Sequence, residues 1–597
     1  MTTPVSTGRD VPAASGQPAA LEWGSDVVAE MLRRLRVPYV ALEPGASFRG
    51  LHDSIVNYLG NDAPSMILCN HEEVAVAIAH GYAKFAGRAM AAAVHSNVGL
   101  MHASMTIFCS WCDRAPVLVL GGTGPMDATA RRPWIDWIHT AYAQGELVRN
   151  FTKWENQPAS VGAMPEALLR AWQIAHLEPR GPVYVCLDVG LQEQRIVAPV
   201  AIPDVALVAA PSPAAPDGDV IKRAAALLVR AERPVIMLGH AGDDWSDVIA
   251  LAESLGAAVV TDRLSPAAFP TDHPLHQGTA RTQSGAAVVE EIRAADLVLA
   301  IQKVDVAGAL RERGADPVEL IEISLEPYIA RSWSADHQAL PLADVAITAN
   351  ASLAVAALRD AVARALADSV GGRRRIDDRA RAAGDRSRKR RGEWTAANQR
   401  RSGDRPIHLA RAIAELRTAL GERAAETVLA QGPLAPWPAA TWEFMKPKSY
   451  LGADGGAGVG SGTGIAVGGA LAARGSGRPV VAVVGDGEML AAPTALWTAA
   501  HHQIPVLFLV ANNQSYYNDE EHQDHVARAR GRPPENRWIG QRMDRPAVDF
   551  AGLARDLGAE GFGLVEDPDD LAATLRRAVT ALDEGRPVLV DVRIVPR

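Results

Sequence analysis

The sequence predicts an α/β protein built from three Rossmann-like, doubly wound parallel-sheet domains. Short apolar runs of strand length alternate with longer amphipathic segments along almost the whole chain. The alternation falls into three sets, parted by a Pro/Ala-rich stretch and by a basic stretch. The first and third sets both close on a strand introduced by proline, Pro182-Val183-Tyr184-Val185 and Pro587-Val588-Leu589-Val590.

Residues 1–20, rich in Ala, Pro, Ser and Thr, read as a tail without signal or anchor. The first set, residues 21–197, offers strands at Val37–Leu42, Ser65–Cys69, Ala89–His95, Pro116–Leu120 and Pro182–Leu187, with helical runs at Val74–Phe85 and Met101–Trp111. Residues 198–217 are the connector. The second set, residues 218–368, offers Pro234–Leu238, Ala257–Thr261, Leu297–Ile301, Glu319–Ile323 and Val345–Thr348. Residues 369–405 carry Arg373-Arg374-Arg375 and Arg388-Lys389-Arg390-Arg391. Interspersed Asp and Ala, and no interleaved aromatics, make this stretch a solvated helix and linker rather than a nucleic-acid arm. The third set, residues 406–597, offers Glu426–Ala430, Pro479–Val484, Pro505–Val510 and Pro587–Val595.

A chain of 597 residues that is 48% hydrophobic can fill three cores of ordinary size. Its net charge of −9 gives no general attraction to nucleic acid, and no apolar run is long enough to cross a bilayer. Four cysteines are too few for a disulfide framework and favour the reducing cytoplasm. Cys109 and Cys112 have redox spacing but lie in a helical run with no second pair to complete a zinc site, so they read as packing residues.

The chemistry concentrates at two strand ends. Val484-Gly485-Asp486-Gly487-Glu488-Met489 closes one apolar run, and Val510-Ala511-Asn512-Asn513-Gln514-Ser515 closes another. Open α/β sheets bind ligands at such C-terminal strand ends. Asp486 offers a carboxylate, Asn513 an amide oxygen and Ser515 a main-chain carbonyl. Around octahedral Mg²⁺ this leaves places for two diphosphate oxygens and a water. The separation is 513 − 486 = 27 residues, with Ala495–Ala500 as the intervening helix.

At these residues the chain resembles the thiamine-diphosphate enzyme superfamily, and from Leu21 onward it is most similar to its benzoylformate decarboxylase and acetolactate synthase branch. The resemblance implies pyrimidine-binding, central and diphosphate-binding domains in that order, with thiamine diphosphate and Mg²⁺ as cofactors. It implies cofactor contacts from Gly485, Asp486, Gly487, Glu488, Met489, Asn513, Ser515 and Tyr516. Asn70-His71-Glu72-Glu73, read with Gly81-Tyr82-Ala83, is similar to the family's catalytic-glutamate segment and selects Glu72, which in the family hydrogen-bonds N1′ of the aminopyrimidine. A glutamate in that role needs a dry site.

The glycine run Gly452–Gly464 fails the dinucleotide fingerprint at each register, which argues against a nicotinamide enzyme. Its amides are expected to face diphosphate near the following helix, and its alignment with the family places Val459 beneath the cofactor. Pro433 and Leu434 stand where relatives carry hydroxyls for diphosphate. His95 in His95-Ser96 becomes the proton donor or acceptor for a carbonyl-derived alkoxide. Ser47 lies one step beyond Ala46, the position of the decarboxylases' serine. The segment from Tyr516 to His522 departs from both relatives and puts Asn518 and Asp519 forward as pocket residues. Ile301-Gln302-Lys303-Val304-Asp305 replaces the flavin-holding segment of acetolactate synthases, so FAD is not expected. The activity implied is cleavage or formation of a carbon–carbon bond in 2-oxo acids by a homodimer or homotetramer, with neither nucleic acid nor membrane as partner. The alternatives are a 2-hydroxyacyl or acyloin lyase of the same superfamily and a catalytically weak cofactor-binding paralogue.

Overall fold

The computed structural model describes residues 10–12, 20–240, 242–280, 286–313, 317–327, 340–367, 372–432 and 441–595. They form two compact units. One holds Met1–Ala210, Asp404–Ile407 and Asp454–Arg597, and the other holds Pro211–Gly403 and His408–Ala453. Most of the expected tail lies outside the described residues. Within it, the Asp10 carbonyl accepts a hydrogen bond from Asn61 Nδ2 at 2.9 Å.

The N-terminal sheet of the first unit has six parallel strands: β1 (Tyr39–Leu42), β2 (Ser65–Leu68), β3 (Ala91–Val94), β4 (Leu118–Thr123), β5 (Trp154–Asn156) and β6 (Val183–Asp188), in the order β2-β1-β3-β4-β6-β5. Strands β1, β3, β4 and β6 are buried along their whole length, which is why they read as unbroken apolar runs. Helix α1 (Glu72–Ala86) starts where the His71 side chain accepts the Glu73 N–H, with two acidic residues favoured by the helix dipole in its first turn. It stops at Gly87, whose φ of 68° suits glycine. Helix α2 (Ser96–Cys112) follows β3.

The second unit holds the parallel strands β7 (Pro234–Leu238), β8 (Ala258–Asp262), β9 (His276–Ala280), β10 (Leu297–Ile301), β11 (Glu319–Ile323) and β12 (Val345–Ile347), in the order β12-β11-β10-β7-β8-β9, and also β13 (Val428–Gln431). The basic stretch is one long helix, α3 (Gly372–Arg400). It is less solvated than its composition suggests. Arg386 grips the buried Glu291 through two contacts of 2.6 and 3.0 Å, Arg379 and Arg391 each donate to a main-chain carbonyl at 2.7 Å, and Arg390 is itself buried against the Gln277 carbonyl. These arginines fasten the helix to its own unit, while Arg373, Arg374, Arg388 and Lys389 face outward.

Returning to the first unit, the C-terminal sheet contains β14 (Val480–Gly485), β15 (Leu507–Asn512), β16 (Glu560–Val565) and β17 (Val588–Arg593), running β14-β15-β17-β16 in parallel. Its helices include α4 (Ser461–Ala473), α5 (Asp486–Ala491), α6 (Thr494–His501) and α7 (Tyr517–Ala529). Strands β5, β9 and β16, absent from the sequence-based expectation, all lie at sheet edges. Strands β5 and β16 are part exposed, and β9, although buried at His276 and Gln277, is polar and, like β16, interrupted by glycine.

Helices α1 and α4 cross backbone to backbone. A Cβ on Gly81 would stand 1.9 Å from the Ile465 carbonyl oxygen, and one on Gly468 would stand 1.9 Å from the Ile78 carbonyl oxygen. Neither oxygen can rotate away, as a side chain would. Gly81→Ala is therefore expected to destabilise the protein by about 3 kcal/mol, the upper end for overpacking, as read from the midpoint of chemical unfolding. Among the described residues, no helix is long and apolar enough to cross a membrane, and all four cysteines are free.

Candidate active site

The two polar segments of the C-terminal sheet meet at the ends of adjacent strands, since β14 pairs with β15. Asp486 opens α5 and is only 3% exposed. Its Oδ1 accepts the Gly487 N–H at 3.0 Å, whereas Oδ2 is buried with no hydrogen-bond partner. Burial pushes the carboxyl up to about 6, although main-chain N–H groups of Gly487, Gln514 and Ser515 offset part of that effect. A buried carboxylate oxygen without a donor calls for a cation. Asn513 Oδ1 accepts the Ser515 N–H at 2.9 Å and keeps a second lone pair for a ligand.

Around this centre Gly485 has nothing within 4 Å of a would-be Cβ, and a Cβ on Gly487 would lie 2.6 Å from the Tyr516 ring. The open side and the close ring are both consistent with a group lying across the strand ends. Met489 is fully buried. Ser515 Oγ donates to Glu520 Oε1 at 2.5 Å, and Arg537 and Arg542 stand 3.6 Å from the same carboxylate. Asn518 and Asp519 are exposed on α7, whereas Glu520, 2% exposed, is the residue of that turn that faces inward. Nothing in the spacing of Tyr516 to His522 separates these neighbours. Only the phase of α7 relative to Ser515 does.

Glu488 changes the expectation for the glycine run. Its Oε2 accepts the Gly460 N–H at 2.9 Å and its Oε1 the Gly462 N–H at 2.6 Å, so a side chain of the protein already occupies the first amides of α4. Burial, eased by those two N–H groups, pushes Glu488 up to about 7. Asp454 secures the rest of the loop by accepting from the Gly456 and Gly458 N–H groups and the Ser461 hydroxyl. Val459 is 51% exposed on this loop. Pro433 and Leu434 lie outside the described residues.

In the N-terminal half, the consecutive glutamates diverge. Glu73 turns to the glycine run, where its Oε1 would lie 2.9 Å from a Cβ on Gly460. Glu72, 4% exposed, turns the other way, with Oε2 3.0 Å from His102 Nδ1 and Oε1 where a Cβ on Gly99 would lie 2.4 Å away. Glycine at position 99 is thus the room that Glu72 occupies. The Glu43 carboxyl completes this group, which sequence reasoning missed: one ligand atom from each of Glu43, Glu72 and His102 lies within 4.8 Å of the others. The His71 ring stacks on His102 at 4.7 Å.

Ser47 and His95 are joined, with Ser47 Oγ and His95 Nδ1 2.9 Å apart. The same hydroxyl accepts the Ser96 N–H at 3.1 Å, which fixes Ser47 beside the ring. Burial, together with the neighbouring His139 ring at 4.7 Å, holds His95 below the usual imidazole range, so the ring is neutral near pH 7. Gly45 and Gly122 make room for the pair, since Cβ atoms there would meet His95 and Ser47 at 2.6 and 2.3 Å.

Three family models match the chain. They are the thiamine pyrophosphate enzyme N-terminal TPP binding domain over residues 22–147, the central domain over 221–358 and the C-terminal TPP binding domain over 430–592. Benzoylformate decarboxylase of Pseudomonas aeruginosa is 25% identical over 553 residues, covering 88% of this chain and 91% of that protein. A probable acetolactate synthase large subunit of Methanocaldococcus jannaschii is 24% identical over 598 residues, covering 96% and 92%. In fold, the chain is similar to the crystal structure of benzoylformate decarboxylase from Polynucleobacter necessarius, with a TM-score of 0.76 at 20% identity over 97% of this chain and 99% of the other.

Proposed function

Because the chain belongs to the thiamine pyrophosphate enzyme family, we propose that it uses thiamine diphosphate, held through Mg²⁺, to cleave or form the carbon–carbon bond beside the carbonyl of a 2-oxo acid. The observation that carries the proposal is the partnerless Oδ2 of a buried Asp486 at two adjoining strand ends. When bound, the cofactor supplies a nucleophilic carbon and an electron sink for the cleaved bond. Asp486, the Asn513 amide oxygen and the Ser515 carbonyl are the residues that would hold the cation. Glu72 offers a carboxyl to a ring nitrogen from a nearly dry position. His95, braced by Ser47 through Nδ1, can in its Nε2-protonated tautomer donate from Nε2 to an oxygen that gains negative charge and take the proton back later.

Purified protein given thiamine diphosphate, Mg²⁺ and either pyruvate or benzoylformate should release CO₂ or an acyloin. Saturable cofactor binding with no product across aliphatic, aromatic and acyl-CoA substrates would rule out the catalytic reading. The product formed would separate a decarboxylase from a carboligase or a lyase.

The working unit proposed is at least a homodimer, in which Glu72 of one protomer serves the cation site of another. Support comes from apolar surface left open on the first unit, with Trp134, Trp137 and Tyr142 being 70%, 72% and 75% exposed. Replacing both tryptophans by aspartate is expected to shift sedimentation to the monomer mass and to remove turnover together. A variant that stayed dimeric would place the contact elsewhere.

A further inference from the structure

The group around Glu72 contains a second carboxyl that its role does not require. Glu43 follows β1, Glu72 opens α1 and His102 lies on α2, so three separate elements converge on one point. Two carboxylates this close in a poorly hydrated site repel when both are charged with no cation facing them, and one proton between them removes the repulsion. We propose that Glu43 is a positioning residue for Glu72, storing the proton that passes through Glu72 to a ring nitrogen bound against it. The balance is one proton, from a Glu43 oxygen to Glu72 and from Glu72 to the ring. As the ring gains a positive charge, the carboxyl pair goes from one negative charge to two, so the new charge forms opposite two carboxylates.

The surroundings agree with this placement of the proton. The hydrogen bond to Glu72, helped by burial, raises the Glu43 carboxyl to about 7. Burial opposes ionisation of Glu72, but the hydrogen bonds from Glu43 and His102 outweigh it and hold Glu72 below the usual range. The other titratable neighbours are His71 and His95, both held below the usual range chiefly by burial, and Cys69, whose buried thiol is pushed up to about 12. None of these competes for the proton near neutrality, and His102, exposed over 56% of its side chain, links Glu72 to solvent.

The proposal rests on the reading of Glu72 given above, and its test needs no cofactor. The infrared difference between the cofactor-free wild type and Glu43→Gln between pH 5 and 9 should show a protonated-carboxyl band that titrates near pH 7, the Glu488 band being common to both and cancelling. Glutamine keeps the size of Glu43 and can still donate to Glu72. In Glu72→Gln the same band should remain but titrate at lower pH, because the charge that raised it has gone. Spectra of wild type and Glu43→Gln that do not differ in this band would overturn the shared proton while leaving the assignment of the cofactor site untouched. In the loaded enzyme, Glu43→Gln should lower turnover about tenfold or more and lose the titration near pH 7, with cofactor affinity held. Unchanged turnover and an unchanged pH profile would overturn the relay.

Discussion

Glu72→Gln is expected to reduce turnover by about 10²- to 10⁴-fold, the range for losing a positioned acid–base group, while cofactor binding stays within a few-fold. The separation of effects follows from geometry. Glu72 is 4% exposed and fills space left by Gly99, so the isosteric amide fits the same pocket and packing is kept. What is lost is exchange of a proton, which an amide cannot perform. Calorimetric titration with thiamine diphosphate beside steady-state kinetics measures both quantities. Full activity in the variant would remove Glu72 from the mechanism, and failure to bind would make it a binding residue instead.

The second large effect runs in opposite directions for function and stability. Asp486→Asn removes the charge that a cation needs, and a lost charged contact of about 3 kcal/mol corresponds to roughly a 100-fold weaker Mg²⁺-dependent affinity for the cofactor. Chelating Mg²⁺ from the wild-type protein should mimic the substitution. Without cofactor, however, the variant should melt at a higher temperature than wild type above about pH 6. The Asp486 carboxyl is raised from 3.8 to about 6 in the folded chain, so the folded state binds more protons than the unfolded state in that window. Stability therefore falls as pH rises through it, and the deficit persists above it. Asparagine carries no such deficit, and the two proteins should converge near pH 4. Equal melting across the range would mean that Asp486 is stabilised by a charge partner other than a bound cation.

The sequence revealed what full burial imposes on composition. Strands β7 and β10 occupy the residues expected of them because sheets covered on both faces require continuous apolar runs, and β11 does so although Glu319 and the buried Glu322 interrupt its run. The ends of β14 and β15 were legible for a related reason, as Asp486 and Asn513 interrupt such runs. The edge strands β2 and β12 were legible too, whereas β5, β9 and β16 were not, since part-exposed or polar residues follow no simple pattern. Glu43 and Glu520 escaped for a different reason: each is defined by partners distant in sequence or by helix phase, and a carboxyl beside Pro44 or within an acidic helical turn looks solvated until the fold closes. Glu488 shows the same limit, since glycine density forecast available amides at Gly460 and Gly462 but not the side chain that accepts from them. The arginines of α3 likewise read as surface charge, although Arg390 is buried.

The seam between α1 and α4 leaves no slack for even a methyl group. A hinge cannot operate where main chain rests on main chain, so the N-terminal and C-terminal sheets of the first unit must travel together, and whatever opens toward the ends of β14 and β15 has to lie outside this seam.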